Sequence, residues 1–70
     1  MIKINLDRVM LDRKITSNEL AKQIGIAPAN LSILKTGKAK GIRFNTLEKI
    51  CTILDCQPGD ILEFVGEDVS

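Results

Sequence analysis

ITSNELAKQIGIAPANLSILKTG, residues 15 to 37, is the stretch from which the fold is read. Thr16 with Glu19 three residues on is the signature of a helix N-terminal capping box, and Ile15 and Leu20 stand where a hydrophobic staple packs across the same turn. A helix is therefore predicted to start at Thr16, with Leu20, Ala21 and Ile24 as its apolar face. Gly25 ends it, because glycine enters the left-handed conformation of a helix cap without a Cβ clash. Pro28 then suits the first position of a second helix, where its missing N–H costs nothing, and Leu31 and Leu34 repeat at helical spacing up to Gly37. Two short helices joined by a glycine-containing turn form a helix-turn-helix, here placed at residues 16–36.

Before this pair, Met1-Ile2-Lys3-Ile4-Asn5-Leu6 alternates apolar and polar residues as a half-buried strand does. Asn5 is a candidate cap for a helix over about Leu6 to Arg13, with Leu6, Val9, Met10 and the stem of Arg13 facing inward. After the pair, residues 38–45 read as a loop with Gly41 at its middle and Ile42 and Phe44 as anchors into the core. Asn45 with Glu48 repeats the capping signal. Leu47, Ile50, Cys51 and Leu54 then fall on one helical face, and Asp55 tolerates the left-handed cap better than most residues. Pro58 to Leu62 can add a last short helical turn. Phe64 and Val65 are expected to lie extended against Ile2 and Ile4, and the small acidic tail over 66–70 to fray.

Seventy residues, 44% hydrophobic and 27% charged, make one small domain over 1–70 with a modest core. Two aromatics, Phe44 and Phe64, leave core building to aliphatic side chains, which suits packed helices. No apolar run approaches the ~20 residues of a membrane span, and the N-terminus lacks the regions of a signal peptide, so a cytoplasmic protein is expected. The chain has no His, and Cys51 and Cys56 alone do not close a structural zinc site. No metal and no cofactor are expected, and the thiols read as small buried hydrophobes; a redox-sensitive pair or a metal shared between subunits are the other readings. A His-free helical chain of this length offers a thiol no catalytic partner and no sizeable cavity, so it is not expected to be an enzyme.

Charge is unevenly placed although its sum is +1. Lys35, Lys38, Lys40 and Arg43 lie in a segment with no acid, whereas Asp55, Asp60, Glu63, Glu67 and Asp68 lie in a segment with no base. A basic end just after the second helix of a helix-turn-helix is where phosphate contacts are useful; a solvated loop is the plainer reading.

The order and spacing of TSNELAKQIGIAPANLSILKTGK followed by NTLEKICTILDCQPGDIL resembles the Cro and phage-repressor type of helix-turn-helix proteins, the Xre family. The resemblance covers nearly the whole chain. It implies an all-α domain of five short helices that binds double-stranded operator DNA, commonly as a symmetric homodimer on a palindromic site, to regulate transcription. On the helix from Pro28 to Thr36, Leu31 and Leu34 point inward, which leaves Pro28, Ala29, Asn30, Ser32 and Ile33 as candidate base-facing residues. In the family the positions matching Pro28, Ala29, Ser32 and Ile33 are among those facing base edges. Here Asn30 and Ser32 alone can hydrogen-bond a base, Ala29 and Ile33 can touch a thymine methyl, and Ala27 replaces the usual hydroxyl cap. Candidate phosphate contacts are Ser17 and Asn18 beside the first-turn N–H groups of the preceding helix, and Lys35, Lys38, Lys40 and Arg43 beyond the recognition helix. Exposed Ile33 keeps a second function open: a protein-interaction module of the same fold, an antirepressor or antitoxin-like partner. Ile53 and the Phe64–Val65 edge are the candidate dimer surface. No membrane partner and no small-molecule ligand are expected.

Overall fold

Apolar side chains spaced along five helical segments converge on one centre: Leu6, Leu20, Leu31, Ile50, Leu54 and Ile61 are all fully buried. In the computed structural model, which describes residues 1–66, these segments follow the order β1 (Ile2–Ile4), α1 (Leu6–Asp12), α2 (Ser17–Ile24), α3 (Pro28–Lys35), α4 (Phe44–Leu54), α5 (Pro58–Ile61) and β2 (Leu62–Phe64). Each such side chain removed from water is worth roughly 1.5–3 kcal/mol. Among the described residues no polar or charged residue is buried, so the core is held by apolar contact alone. Ile15 and Leu20 both meet this core, as the staple requires, and Ile42 anchors the loop between α3 and α4.

The helix ends explain why such short segments stop where they do. Lys14, Gly25, Gly37 and Asp55, the residues closing α1 to α4, have φ of +57°, +88°, +76° and +50°. One residue further on, the backbone N–H of Ile15, Ile26, Lys38 and Cys56 reaches back to the carbonyl of Met10, Ala21, Ile33 and Cys51, at 3.1, 3.0, 3.1 and 3.0 Å. This is the Schellman closure, which satisfies carbonyls that the helix leaves open and turns the chain sharply. Glycine meets the left-handed geometry without strain at two of these sites, whereas Lys14 and Asp55 adopt it at some steric cost. Arg13 adds to the end of α4, its Nε donating to the Leu54 carbonyl at 2.6 Å and its Nη2 to that of Asp55 at 3.1 Å.

N-terminal caps depart further from expectation. Thr16 Oγ1 accepts the N–H of Glu19 at 3.2 Å and caps α2, without the reciprocal bond in which the Glu19 carboxylate accepts the Thr16 N–H. Asn5 precedes α1 without capping it; its amide instead donates to Glu63 Oε1 at 2.9 Å, drawn off by the strand that packs beside it. Asn45 does not cap α4, which begins two residues earlier behind Arg43. Phe44 consequently sits at the first position of that helix, 87% exposed, and is no core anchor: it lies at the edge of the face that carries Leu47, one turn before the segment that packs on the core. At α5, Asp60 Oδ2 accepts the N–H of Gln57 at 2.9 Å.

β1 and β2 pair antiparallel with Ile2 opposite Phe64, Lys3 opposite Glu63 and Ile4 opposite Leu62. Pairing continues beyond both strands, through Asn5 N–H to the Ile61 carbonyl at 2.7 Å and Val65 N–H to that of Met1 at 2.8 Å. Val65 thus joins the pairing at the margin of β2. The inner pair, Ile4 and Leu62, packs on the core, while Ile2 and Phe64 overhang it at 58% and 74% exposure. The acidic tail expected over 66–70 lies, beyond Gly66, outside the described residues.

These assignments rank three substitutions. Leu31→Ala should cost about 2–5 kcal/mol through the cavity it leaves, and Thr16→Ala about 0.5–2 kcal/mol through the lost cap. Gly25→Ala meets no atom within 4 Å, so its cost is the backbone strain of a left-handed alanine, about 1–2 kcal/mol. Urea titration of the three variants checks the order; equal effects for all three contradict the packing described.

Candidate nucleic-acid interface

α2 and α3 meet across the turn Gly25-Ile26-Ala27, with Leu20, Ala21 and Ile24 of one and Leu31 and Leu34 of the other buried. Fixing Leu31 and Leu34 inward fixes the rest of α3 outward. Pro28, Ala29, Asn30, Ser32 and Ile33 are all exposed and form a continuous face, with Ile33 at 46%. Ala27 precedes α3 without a side-chain cap. The chemistry of the face is thin: an amide and a hydroxyl for hydrogen bonds, and methyl groups elsewhere. Ile33 also has a backbone task, since its carbonyl accepts the closing N–H of Lys38 at 3.1 Å and lies 3.2 Å from the Thr36 hydroxyl.

The expected phosphate-contacting residues separate into two groups of different character. Lys38, Lys40 and Arg43 are exposed on the α3–α4 loop and its junction with α4, and none has an acidic partner among the described residues. Lys35 is different. Its Nζ donates to Ser17 Oγ at 2.6 Å and stands 3.1 Å from Asp7 Oδ1, which ties the end of α3 to the starts of α2 and α1. Ser17 and Lys35, placed at opposite ends of the helix pair by sequence reasoning, are therefore one cluster, while Asn18 is exposed beside it. Asp7 is the member that sequence reasoning missed. Nothing local marks it, because it reads as an ordinary acid in the first turn of α1, where it suits the helix dipole.

The two thiols lie away from this face. Cys51 and Cys56 are free and half-buried against the core, and the Cys56 thiol is pushed up by burial and by its neighbours Cys51 and Asp60, with Arg13 opposing. Among the described residues no three His, Cys, Asp or Glu side chains gather as a metal site needs. No helix of the described residues is long and apolar enough to cross a membrane.

A capped helix, a three-residue glycine turn and a second helix whose outer face stays open make this chain a helix-turn-helix domain of the kind that binds DNA. Residues 5–67 match the family model of the Cro/C1-type HTH DNA-binding domain, and the chain belongs to that family, which is not one of enzymes. It is 55% identical over 67 residues to the uncharacterized HTH-type transcriptional regulator YozG of Bacillus subtilis (strain 168), covering 96% of this chain and 80% of that protein. Its fold is similar to that in the crystal structure of the transcriptional regulator VanUg, with a TM-score of 0.74 and 28% identity over 94% of this chain and 87% of the other.

The Lys35–Asp7 pair predicts its own energetics. A double-mutant cycle with Lys35→Gln and Asp7→Asn, read by thermal unfolding, should return a coupling of about 0.2–1 kcal/mol that fades as salt is raised towards 1 M. A coupling indifferent to salt contradicts a partly exposed ion pair.

Proposed function

We propose that this single domain is a sequence-specific regulator of transcription that inserts α3 into the DNA major groove. The observation that carries this reading is positional. At the end of α3, Lys35 bonds Ser17 at the start of α2, beside exposed Asn18, and the loop leaving that same end carries Lys38, Lys40 and Arg43 without acidic partners among the described residues, so a helix N-terminus and free cations border the exposed face of α3. Helix N-termini and cations hold phosphates and fix the register, and Asn30 and Ser32 are then the groups able to read base edges. Ala29 and Ile33 add apolar contact of the kind a thymine methyl accepts. A second reading, docking of a protein on Ala29 and Ile33, draws on the exposure of Ile33 at 46%.

One copy of so short a recognition helix reads few base pairs, so two copies on a palindromic site are proposed, with their α3 helices about 34 Å apart. Support for a second copy comes from the sheet, where Ile2, Phe64 and Val65 leave apolar surface uncovered at the margin of a two-stranded ladder. Ile53 is half-buried against the core, and the part of it that stays open is proposed to join the same surface.

Selection from a random DNA pool tests the reading directly: a palindrome bound with a steep salt dependence is the expected result, and no enrichment at any ionic strength favours the protein-docking alternative. Replacing Lys38 and Arg43 together by Ala should weaken binding to all sequences by a similar factor and flatten the salt slope, because phosphates carry no base identity. A shifted sequence preference with an unchanged slope removes them from the phosphate contacts. For assembly, sedimentation at micromolar concentration should find wild-type dimers on the palindrome and monomers for Phe64→Asp with Val65→Asp; a wild type that stays monomeric on its site ends the dimer proposal.

A further inference from the structure

We propose that Asp7 sets the DNA affinity of this face by competing with a backbone phosphate for the Lys35 ammonium, an inference that rests on the DNA-binding reading above. Lys35 leaves the last turn of α3 and crosses to the start of α2, where Ser17 Oγ accepts from its Nζ at 2.6 Å and Asp7 Oδ1 of α1 lies 3.1 Å away. The two partners differ in access to solvent: the Lys35 side chain is 20% exposed and that of Asp7 69%. The carboxylate is thus the more open of the two to an approaching anion, and the cation beside it is already paired.

The contrast with the rest of the basic group makes Asp7 specific. Among the described residues this is the one ion pair of the molecule, and Lys38, Lys40 and Arg43 face solvent with their charge uncancelled. Of the four cations around the end of α3, three are ready to displace counterions from DNA and the fourth is held in reserve. A phosphate seated at Ser17 has two routes to Lys35: sharing it with Asp7 at the cost of anion–anion repulsion, or drawing it away from a bond already made. Either route costs affinity relative to a chain with a neutral side chain at position 7. Asp7 itself stabilises α1, since a carboxylate in the first turn complements the helix dipole. Stability of α1 and strength of DNA binding are thus set against each other at a single carboxylate.

The test uses the selected DNA site and four proteins beside wild type: Asp7→Asn, Lys35→Gln, the two together, and Asp12→Asn as a control for net charge on the same helix. Asp7→Asn should raise affinity about two- to fivefold per protomer, the scale of one partly exposed ion pair. It should also steepen the slope of log K against log salt by roughly 0.9 per protomer, one further phosphate neutralised. In the Lys35→Gln background the same substitution should do no more than Asp12→Asn does. An Asp7→Asn protein that binds more weakly would make Asp7 a positioning residue for Lys35 and overturn the proposal. So would an equal gain with and without Lys35, which is a net-charge effect alone. Wild-type binding that shows no salt dependence on any sequence defeats the DNA-binding reading itself, and is seen before a variant is made. Thermal unfolding of each protein confirms that all five are folded.

Discussion

The N–H of Ile26 bonds to the carbonyl of Ala21, and that six-residue reach, with a left-handed residue between, recurs at the ends of α1, α3 and α4. Helices of seven to eleven residues have few internal bonds, and in water most such segments are marginal alone. Closing each end locally satisfies open carbonyls and sets the direction in which the chain leaves. At three of the four ends the residues so brought together, Met10 with Ile15, Ala21 with Ile26 and Cys51 with Cys56, also pack on the core, so cap and core reinforce one another. The fourth closure, Ile33 with Lys38, faces out beside the proposed DNA face. Ile33 therefore has a structural use independent of any partner.

What the sequence showed clearly was what is encoded locally. Gly25, Gly37, Pro28 and the Thr16 hydroxyl each restrict one or two residues, and the leucine spacing of α2, α3 and α4 reports its own buried face. What it hid were choices between local and distant partners. Asn5 has the chemistry of a cap, but Glu63 competes for its amide from the far end of the chain, and that contest is settled by the strand pairing. Phe44 as an anchor rests on the tendency of an aromatic in a loop to seek the core; the helix begins earlier than the Asn45 signal suggests, and its first residue stands beyond the part that packs, which leaves the ring exposed. Lys14 gave no warning of its left-handed backbone, since no feature of lysine favours it. The outward set on α3 was legible because it is the complement of Leu31 and Leu34. The Lys35–Ser17–Asp7 cluster was not, because its members come from three helices.

The charge pattern takes on a different weight once positions are known. A run of cations in sequence suggests four equivalent contacts, yet the fold draws Lys35 inward to Ser17 and Asp7 and leaves Lys38, Lys40 and Arg43 outside. The helix dipoles act in the same sense: Lys35 in the last turn of α3 and Asp7 in the first turn of α1 each sit at the favourable end of a helix.

The pairing of β1 with β2 is the contact that brings residues 2–4 to residues 62–64, and it is the most distant in sequence that the strands make. Between these strands the helices and their caps form from neighbours in sequence, and the longer reaches, such as Arg13 to Leu54 and Lys35 to Asp7, are made by side chains on helices already closed. Closing the loop comes at the logarithmic entropy cost of a long chain segment, and a two-stranded ladder with one overhanging pair returns little against it. Such an element opens more readily than the helices it rests on, so the ladder-bonded amides of Lys3 and Glu63 should exchange faster than the helical amides of Leu20 and Leu31. The timescale of this opening then bears on assembly: a second copy docking on Ile2 and Phe64 would clamp an element that opens readily, and association would be felt first as slower exchange there.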